Sequence, residues 1–276
     1  EQSIRDEQGN PVPKPNKDIS GSSMQSPEDP DATARTKAGK THVGSVGNVT
    51  ETYDDNGNSL ITDADIRSNT YSDSDFMKDT IRQKDDPASE EQVITDGAYY
   101  SSDHAEAAAE KGILLVPTSL TGAATNPLYS DFELSDDGHS VVSCPNGCEP
   151  VGQTYHEKTG IIDAKFSHDN CDKCPYRDQC PGKQQKKAVK VSISSQMVNR
   201  AELQKALGDE EHKQLARERN AVEAIPSIFR RKYGIDHIRT FLKHRIRSVY
   251  FAICLAYNGQ KHQKFFRAHR AECAFL

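Results

Sequence analysis

The chain has 276 residues, a formal net charge of −6, 34% hydrophobic and 28% charged residues. This length suits one large domain or two small ones, and the composition is polar for a globular protein. No run of about 18 apolar residues predicts a membrane span, and the first residues do not resemble a signal peptide. Seven cysteines, an uneven number, without such a signal disfavour a secreted disulfide protein, and they suggest metal binding if the protein is cytosolic.

The charge is divided unevenly along the chain. Residues 181–276 contain 20 Lys and Arg against 8 Asp and Glu, whereas residues 1–180 are strongly acidic. A basic region of this kind suits phosphate-bearing partners, and the acidic part can hold cations. The alternative is that the opposite charges of the two parts neutralise each other and serve no outside partner.

The first elements are predicted to be β-strands. Residues 1–30 are rich in Pro, Ser, Asn and Lys without periodicity, which is typical of a linker or loop. A β-like pattern starts at Thr41. Asn56-Gly57 is a favoured hairpin turn, so residues 59–66 are expected to pair with the strand before it.

Helices and strands then alternate. The sequence predicts a helix over 72–84 begun by Ser72 or Asp73, a strand over 91–95, a helix over 101–112 with Gly112 as C-cap, and a strand over 113–118. One hairpin followed by helix, strand, helix and strand predicts a mixed α/β sheet with short crossovers.

Asp96 follows the strand over 91–95 directly. Asp96-Gly97 is a common turn pair, so the acid has an ordinary explanation. Sites in α/β sheets form at the carboxyl ends of strands, so Asp96 is also a candidate catalytic residue. The local pattern leaves both interpretations open.

The cysteines between residues 144 and 180 are spaced for a metal. Two residues separate Cys171 from Cys174, which lets one turn direct both sulfurs at one ion, and Zn²⁺ takes four such ligands in a tetrahedron. Cys144 and Cys180 complete the favoured set, and Cys148 or His168 is an alternative for one of them. Reduced thiols in a loop, or a redox pair, are the other interpretations. Cys254 and Cys273 are expected to be plain buried or free thiols.

A helix is predicted over 208–225, ending or kinking near Pro226. It places Arg219, Asn220 and Glu223 on one face. An ordinary salt bridge on a helix surface is the alternative to a functional role for these residues.

The C-terminal segment is predicted to form a basic amphipathic helix. The apolar stripe contains Leu242, Ile246, Val249, Ile253 and Tyr257, which leaves Lys243, Arg245 and Arg247 facing outward. Exposed cations of this type, together with Arg230, Arg231 and Lys232, suit contact with DNA phosphates without base reading. Binding to a membrane surface is the competing use.

Seven stretches in order resemble bacterial insertion-sequence transposases of the DDE type, in the branch with a cysteine cluster between the second and third catalytic acids. They are SPEDPDATARTKAGKTHVGSVGNVTET (26–52), SNTYSDSDFMKDTI (68–81), VITDGAYYS (93–101), LVPTSLTG (115–122), SCPNGCEP (143–150), CDKCPYRDQC (171–180) and RNAVEAIPSIFRRKYGID (219–236). Each stretch is weak alone, whereas the ordered set is specific and covers about residues 24–265.

The resemblance implies a ribonuclease H-like mixed sheet, interrupted by a cysteine-rich, zinc-knuckle-like insertion and completed by a helical basic C-terminus. In the order of the chain, 1–30 is then a linker or loop, 31–130 the first part of the core, 131–190 the insertion and 191–276 the basic part that completes the core.

The resemblance also implies the chemistry. Asp96 matches the family's second acid and Glu223 its third, both as ligands of two Mg²⁺ or Mn²⁺ ions that drive DNA strand cleavage and transfer at terminal inverted repeats. Arg219 and Asn220 match the residues before the third acid and would orient it or touch phosphate. The implied setting is the bacterial cytoplasm at the nucleoid, with the protein acting as a homodimer or paired with an N-terminal part.

The family's first acid is expected upstream of this segment, because only one hairpin is predicted before the first helix. Asp29 and Asp31 lie near the expected region, but the resemblance assigns them to a later loop and not to the metal site. A second departure is Ala221, where the family is expected to have Gly.

The sequence therefore supports two functions: a strand transferase, whole or partial, and an inactive remnant that binds DNA through its zinc knuckle and basic tail.

Overall fold

The structure is a computed structural model that describes residues 2–54, 56–84 and 91–270. Two compact units share the chain. The first contains residues up to Thr80 together with those from Asn220 onwards, and the second extends from Ile81 to Arg219. Cys273 lies outside the described residues.

The first unit begins with a short antiparallel hairpin of β1 (Ser3–Arg5) and β2 (Pro11–Pro13). The carboxylate of Asp6 accepts hydrogen bonds from the backbone N–H groups of Gln8 and Asn10, which closes the turn between the strands. The interpretation of residues 1–30 as a linker or loop did not include this hairpin.

A three-stranded antiparallel sheet follows, formed by β3 (Thr33–Lys37), β4 (Lys40–Tyr53) and β5 (Ser59–Ser68). The predicted β4–β5 hairpin is confirmed, and Gly57 adopts a φ of +77° in its turn. The prediction of only one hairpin before the first helix is wrong. Strand β3 was missed because its sequence is short and polar and its residues are largely exposed.

The next elements confirm the predicted order. Helix α1 (Asp73–Gln83) starts after Ser72, whose Oγ accepts a hydrogen bond from the Asp75 N–H. Strand β6 (Glu91–Thr95), helix α2 (Ser102–Ala109) and strand β7 (Ile113–Pro117) come next, and β6 pairs with β7 in parallel. In the described residues this pair forms a sheet of its own, so a continuous ribonuclease H-like sheet is not seen.

The cysteine-rich segment contains more regular structure than predicted. A small hairpin of β8 (Glu133–Leu134) and β9 (Val141–Ser143) comes first. The elements that follow are β10 (Gly152–His156), β11 (Ile161–Phe166), helix α3 (His168–Asp172), β12 (Lys183–Gln184) and β13 (Val189–Ile193). The four strands form an antiparallel sheet in the order β10-β11-β13-β12. Alternate residues of β11 and β13, including Ile162, Val191 and Ile193, are buried in the core of this unit.

Four α-helices lie between residues 195 and 268: α4 (Ser195–Ala206), α5 (Glu210–Val222), α6 (Ala224–Tyr233) and α7 (Lys243–Ala268). The predicted helix over 208–225 is confirmed as α5, but its predicted end is wrong, because α5 ends at Val222 and α6 begins at Ala224. Pro226 lies in the first turn of α6, where its missing N–H costs no helical hydrogen bond.

Helix α7 packs on β5 in the core of the first unit. Ile61 and Ile66 of the strand contact a cluster that includes Phe229, Tyr250 and Ile253. The predicted apolar stripe is confirmed for Ile246, Val249, Ile253 and Tyr257, whereas Leu242 precedes the helix with a φ of +74°. No helix in the described part of the chain combines the length and apolarity needed to cross a membrane.

Candidate active site and cysteine cluster

Asp96 lies at the carboxyl end of β6, beside the parallel strand β7. Its Oδ1 accepts a hydrogen bond from the Ala98 N–H at 2.8 Å, which is the turn interaction that the pair Asp96-Gly97 suggested. The backbone of β7 continues the pairing, since the Thr118 N–H donates to the Thr95 carbonyl at 2.8 Å. Asp96 therefore holds the turn with one carboxylate oxygen and leaves the other for a second partner.

That second partner is Arg219, near the end of α5. Arg219 Nη2 donates to Asp96 Oδ2 at 3.1 Å, and the two side chains are 20% and 34% exposed. A charge-assisted bond between half-buried groups is stronger than a fully solvated pair. Arg219, which the sequence placed beside Glu223, thus contacts Asp96, the other predicted catalytic acid.

Gly97 is required by a close approach between two loops. A Cβ at this position would lie 2.7 Å from the Ser119 carbonyl oxygen and 2.9 Å from the Thr121 backbone nitrogen. The Gly97 N–H also donates to Ser119 Oγ at 3.1 Å. The glycine therefore lets the loop after β7 pack against the loop that carries Asp96.

Glu223 is exposed and lies between α5 and α6, in a helical backbone conformation. Asn220, one turn earlier, is also exposed. Asp96 and Arg219 belong to the second compact unit, whereas Asn220 and Glu223 belong to the first. Asp96 and Arg219 are thus in contact within the second unit, and Glu223 is part of the first unit.

Asp29 and Asp31 have a structural explanation. Asp29 Oδ1 accepts a hydrogen bond from the Leu242 N–H at 3.2 Å, and Asp31 Oδ2 accepts one from the Lys243 N–H at 3.1 Å. These are unpaired donors at the start of α7, where a carboxylate also suits the helix dipole. Both acids therefore cap α7 from a distant part of the chain.

The predicted zinc cysteines converge on one small cavity of about 30 Å³. Cys144, Cys171, Cys174 and Cys180 all line it, together with apolar side chains such as Phe132 and Val191. Local turns present the sulfurs: the Gly147 N–H donates to the Cys144 carbonyl at 2.7 Å and the Cys174 N–H to the Cys171 carbonyl at 3.3 Å. Four cysteine sulfurs are the type of ligand set that structural Zn²⁺ sites use.

The thiols are near enough to influence one another. Burial, followed by the neighbouring Cys180, Cys144 and Cys174, raises the pKa of Cys171 to about 11. Burial and Cys144 also raise the pKa of Cys148. Within the described ranges no group of three or more His, Cys, Asp or Glu side chains is arranged to hold a metal ion.

His168 is engaged elsewhere, since its Nε2 lies 2.9 Å from the Gln185 carbonyl oxygen. The six described cysteines are all free thiols, and Cys254 is buried on α7 as predicted. Burial raises the pKa of Cys254 to about 11. The contact of His168 with Gln185 favours the set of Cys144, Cys171, Cys174 and Cys180 over a set that includes His168.

The predicted DNA-binding cations lie on the surface of the first unit. All six side chains lie on α6 or α7 and are exposed: Arg230, Arg231, Lys232, Lys243, Arg245 and Arg247. Some have local partners: Arg230 Nε lies 3.3 Å from Asp236 Oδ2, and the Arg247 guanidinium lies 5.2 Å from the ring centre of Phe251. The predicted outward orientation of Lys243, Arg245 and Arg247 is confirmed.

Sequence reasoning missed a polar network on the four-stranded sheet. Asp163 of β11 contacts Lys190 Nζ at 2.7 Å, Ser192 Oγ at 2.6 Å and His156 Nε2 at 3.0 Å. Lys190 and Ser192, followed by His156, hold the pKa of Asp163 well below its usual value. The alternation of polar and apolar residues in β11 and β13 was the signal that could have located these side chains.

The described chain is thus a mixed α/β protein with several small sheets and a helical C-terminal part. Residues 143–262 match the family model described as a transposase DDE domain, so the chain is similar to DDE transposases over this segment. The match includes the cysteine cluster and Glu223, and Asp96 precedes it. Comparisons with curated proteins and with solved structures gave no match.

Proposed function

We propose that this chain acts in metal-dependent cleavage and transfer of DNA strands at the inverted repeats of an insertion sequence, with Asp96 and Glu223 as catalytic carboxylates. The observation that carries the proposal is the position of Asp96 at the carboxyl end of β6, where one oxygen faces Arg219 at 3.1 Å. The family match over residues 143–262 supports the reaction class.

The chemistry needs carboxylates because phosphodiester cleavage develops negative charge on the attacking and leaving oxygens. Bound Mg²⁺ or Mn²⁺ ions would activate the nucleophile and stabilise the leaving oxygen. Asp96 and Glu223 supply hard oxygen ligands of the type these ions prefer. Arg219 keeps the Asp96 carboxylate oriented and offsets part of its charge, which makes it a positioning residue.

The remaining predicted residues have supporting roles in this proposal. The exposed cations of α6 and α7 contact phosphates without reading bases, which gives salt-dependent affinity. Asn220 lies exposed beside Glu223 and would contact DNA or orient that acid. Cys144, Cys171, Cys174 and Cys180 bind a structural Zn²⁺ ion that fixes the loops around the four-stranded sheet.

The test compares Asp96→Ala and Glu223→Ala with the parent in the protein expressed from its native reading frame. Nicking of inverted-repeat DNA is measured with Mg²⁺ or Mn²⁺, and DNA binding is measured in parallel. Both variants are expected to lose nicking and to keep nearly all of their DNA affinity. Asp103→Ala, an exposed acid at the start of α2, is the matched control and should cut like the parent. Undiminished cutting by both variants would show that the acids are not catalytic, and a parent that binds DNA without cutting would point to a binding remnant.

A further inference from the structure

The outward face of the four-stranded sheet carries a row of lysines. Residue register places Lys165 of β11 directly opposite Lys190 of β13, and Lys190 directly opposite Lys183 of β12. Residues opposite one another in neighbouring strands project from the same face. Three lysines therefore stand side by side across three strands, on the face away from the core residues Ile162 and Val191.

This arrangement is unfavourable in the protein by itself. Neighbouring strands lie about 4.8 Å apart, and like charges directly opposite one another destabilise a sheet. Asp163 offsets the charge of Lys190 at 2.7 Å, but within the described ranges no ion pair involves Lys165 or Lys183. Both of these lysines are exposed. Their charges are thus available to an anion outside the chain.

More cations extend the row. The segment 183–190 contains four lysines and no acid, and Lys186 and Lys187 are exposed in the turn between β12 and β13. The sheet face also forms an open hollow of about 260 Å³, lined by Thr154, His156, Asp163, Lys165, Gln185 and Lys190. Thr154 and Gln185 add hydrogen-bonding groups next to the lysines.

We propose that this lysine face, defined by Lys165, Lys183, Lys186, Lys187 and Lys190, contacts the phosphate backbone of duplex DNA. Flexible ammonium groups on a polar surface suit an extended polyanion, and their contacts carry no base information. The lining of the hollow offers no large apolar side chain that would anchor a membrane. The inference rests on the proposed function, to which it adds a DNA contact within the cysteine-rich segment.

Salt dependence of DNA binding tests the proposal. Each phosphate contact contributes about 0.9 to the slope of log affinity against log salt for duplex DNA. Lys165→Gln/Lys183→Gln is expected to lower the magnitude of the slope by about 2 and to weaken binding at low salt. Lys190 is left unchanged because it pairs with Asp163.

The matched control is Lys37→Gln/Lys40→Gln. These two lysines are also exposed, also face each other across strands, and lie in the first unit. The control should retain the parent slope, and both variants should retain the parent unfolding midpoint and zinc content. Equal slopes for the parent and both variants would overturn the lysine face and leave the proposed catalysis untouched. A parent that does not bind duplex DNA would overturn it as well, whereas the nicking assay of Asp96→Ala judges the catalytic proposal separately.

Discussion

Arg219 Nη2 donates a hydrogen bond to Asp96 Oδ2 at 3.1 Å, although 123 positions separate the two residues in the chain. The contact joins the end of α5 to the carboxyl end of β6. A positioning group of this kind fixes the orientation of the Asp96 carboxylate. It also lowers the cost of a half-buried negative charge before a metal ion binds.

Arg219→Gln is therefore expected to reduce metal-dependent nicking about 10- to 100-fold, the usual effect of removing a residue that orients a metal ligand. The Mg²⁺ concentration for half-maximal rate should rise, because the carboxylate becomes less well oriented. Arg217→Gln is the matched control, since Arg217 is exposed and its contacts, Gln214 at 3.5 Å and Glu210 at 4.0 Å, lie within α5. Equal rates and equal Mg²⁺ dependence in the two variants would contradict the positioning role.

Gly97→Ala is expected to destabilise the protein by about 1–3 kcal/mol, the typical cost of forcing an extra methyl group into a packed site. The new Cβ would meet the backbone of residues 119–121, which has no flexible end that can move away. Urea unfolding measures the change. Gly147→Ala meets no atom within 4 Å but has a φ of +71°, so its cost comes from backbone strain alone. An unchanged midpoint for Gly97→Ala would show that the two loops do not pack as described.

Cys171→Ser is expected to lose the bound zinc and to lower the thermal unfolding midpoint. The purified parent should contain about one Zn²⁺ per chain, as expected for a single four-sulfur site. Cys254→Ser serves as control, because this buried thiol lies on α7 and does not line the cavity of the cysteine cluster. Metal analysis of the three proteins gives the answer, and a folded parent without zinc would refute the structural zinc site.

Asp163→Asn is expected to destabilise the protein at pH 7 by about 1–2 kcal/mol, because hydrogen bonds to a charged group are lost beside three lysines. The pKa of Asp163 is lowered in the folded state by Lys190 and Ser192, so its carboxylate stabilises the fold above about pH 4. This contribution is lost as the pH falls through the folded pKa. Unfolding midpoints of parent and variant should therefore converge in acid, and a constant difference down to low pH would contradict the lowered pKa.

Local sequence patterns predicted much of the first half of the fold. The Asn56-Gly57 turn, the Ser72 cap and the apolar stripe of α7 are short-range signals that the structure confirms. Strand β3 lacks an apolar face, so periodicity gave no indication of it. The break at Glu223 was missed because Pro226 was taken as the end of a helix, whereas it occupies the first turn of a new one.

The candidate site was predictable only in part. The turn at Asp96 and the cysteine spacing are local, so the sequence located both. The bond from Arg219 and the capping of α7 by Asp29 join distant segments, and no local pattern encodes such contacts. The close approach of the loop after β7, within 2.7 Å of a Cβ built at Gly97, is likewise a contact between distant segments.

The most direct measurement is the Mg²⁺-dependent nicking rate of Asp96→Asn on inverted-repeat DNA, compared with that of Asp103→Asn. Asparagine keeps the size of the side chain and can retain the turn bond to Ala98, but it removes the charge that a metal ion requires. Asp96→Asn is expected to lose nicking while its DNA affinity stays near that of Asp103→Asn. Equal nicking rates for the two variants would contradict a catalytic role for Asp96.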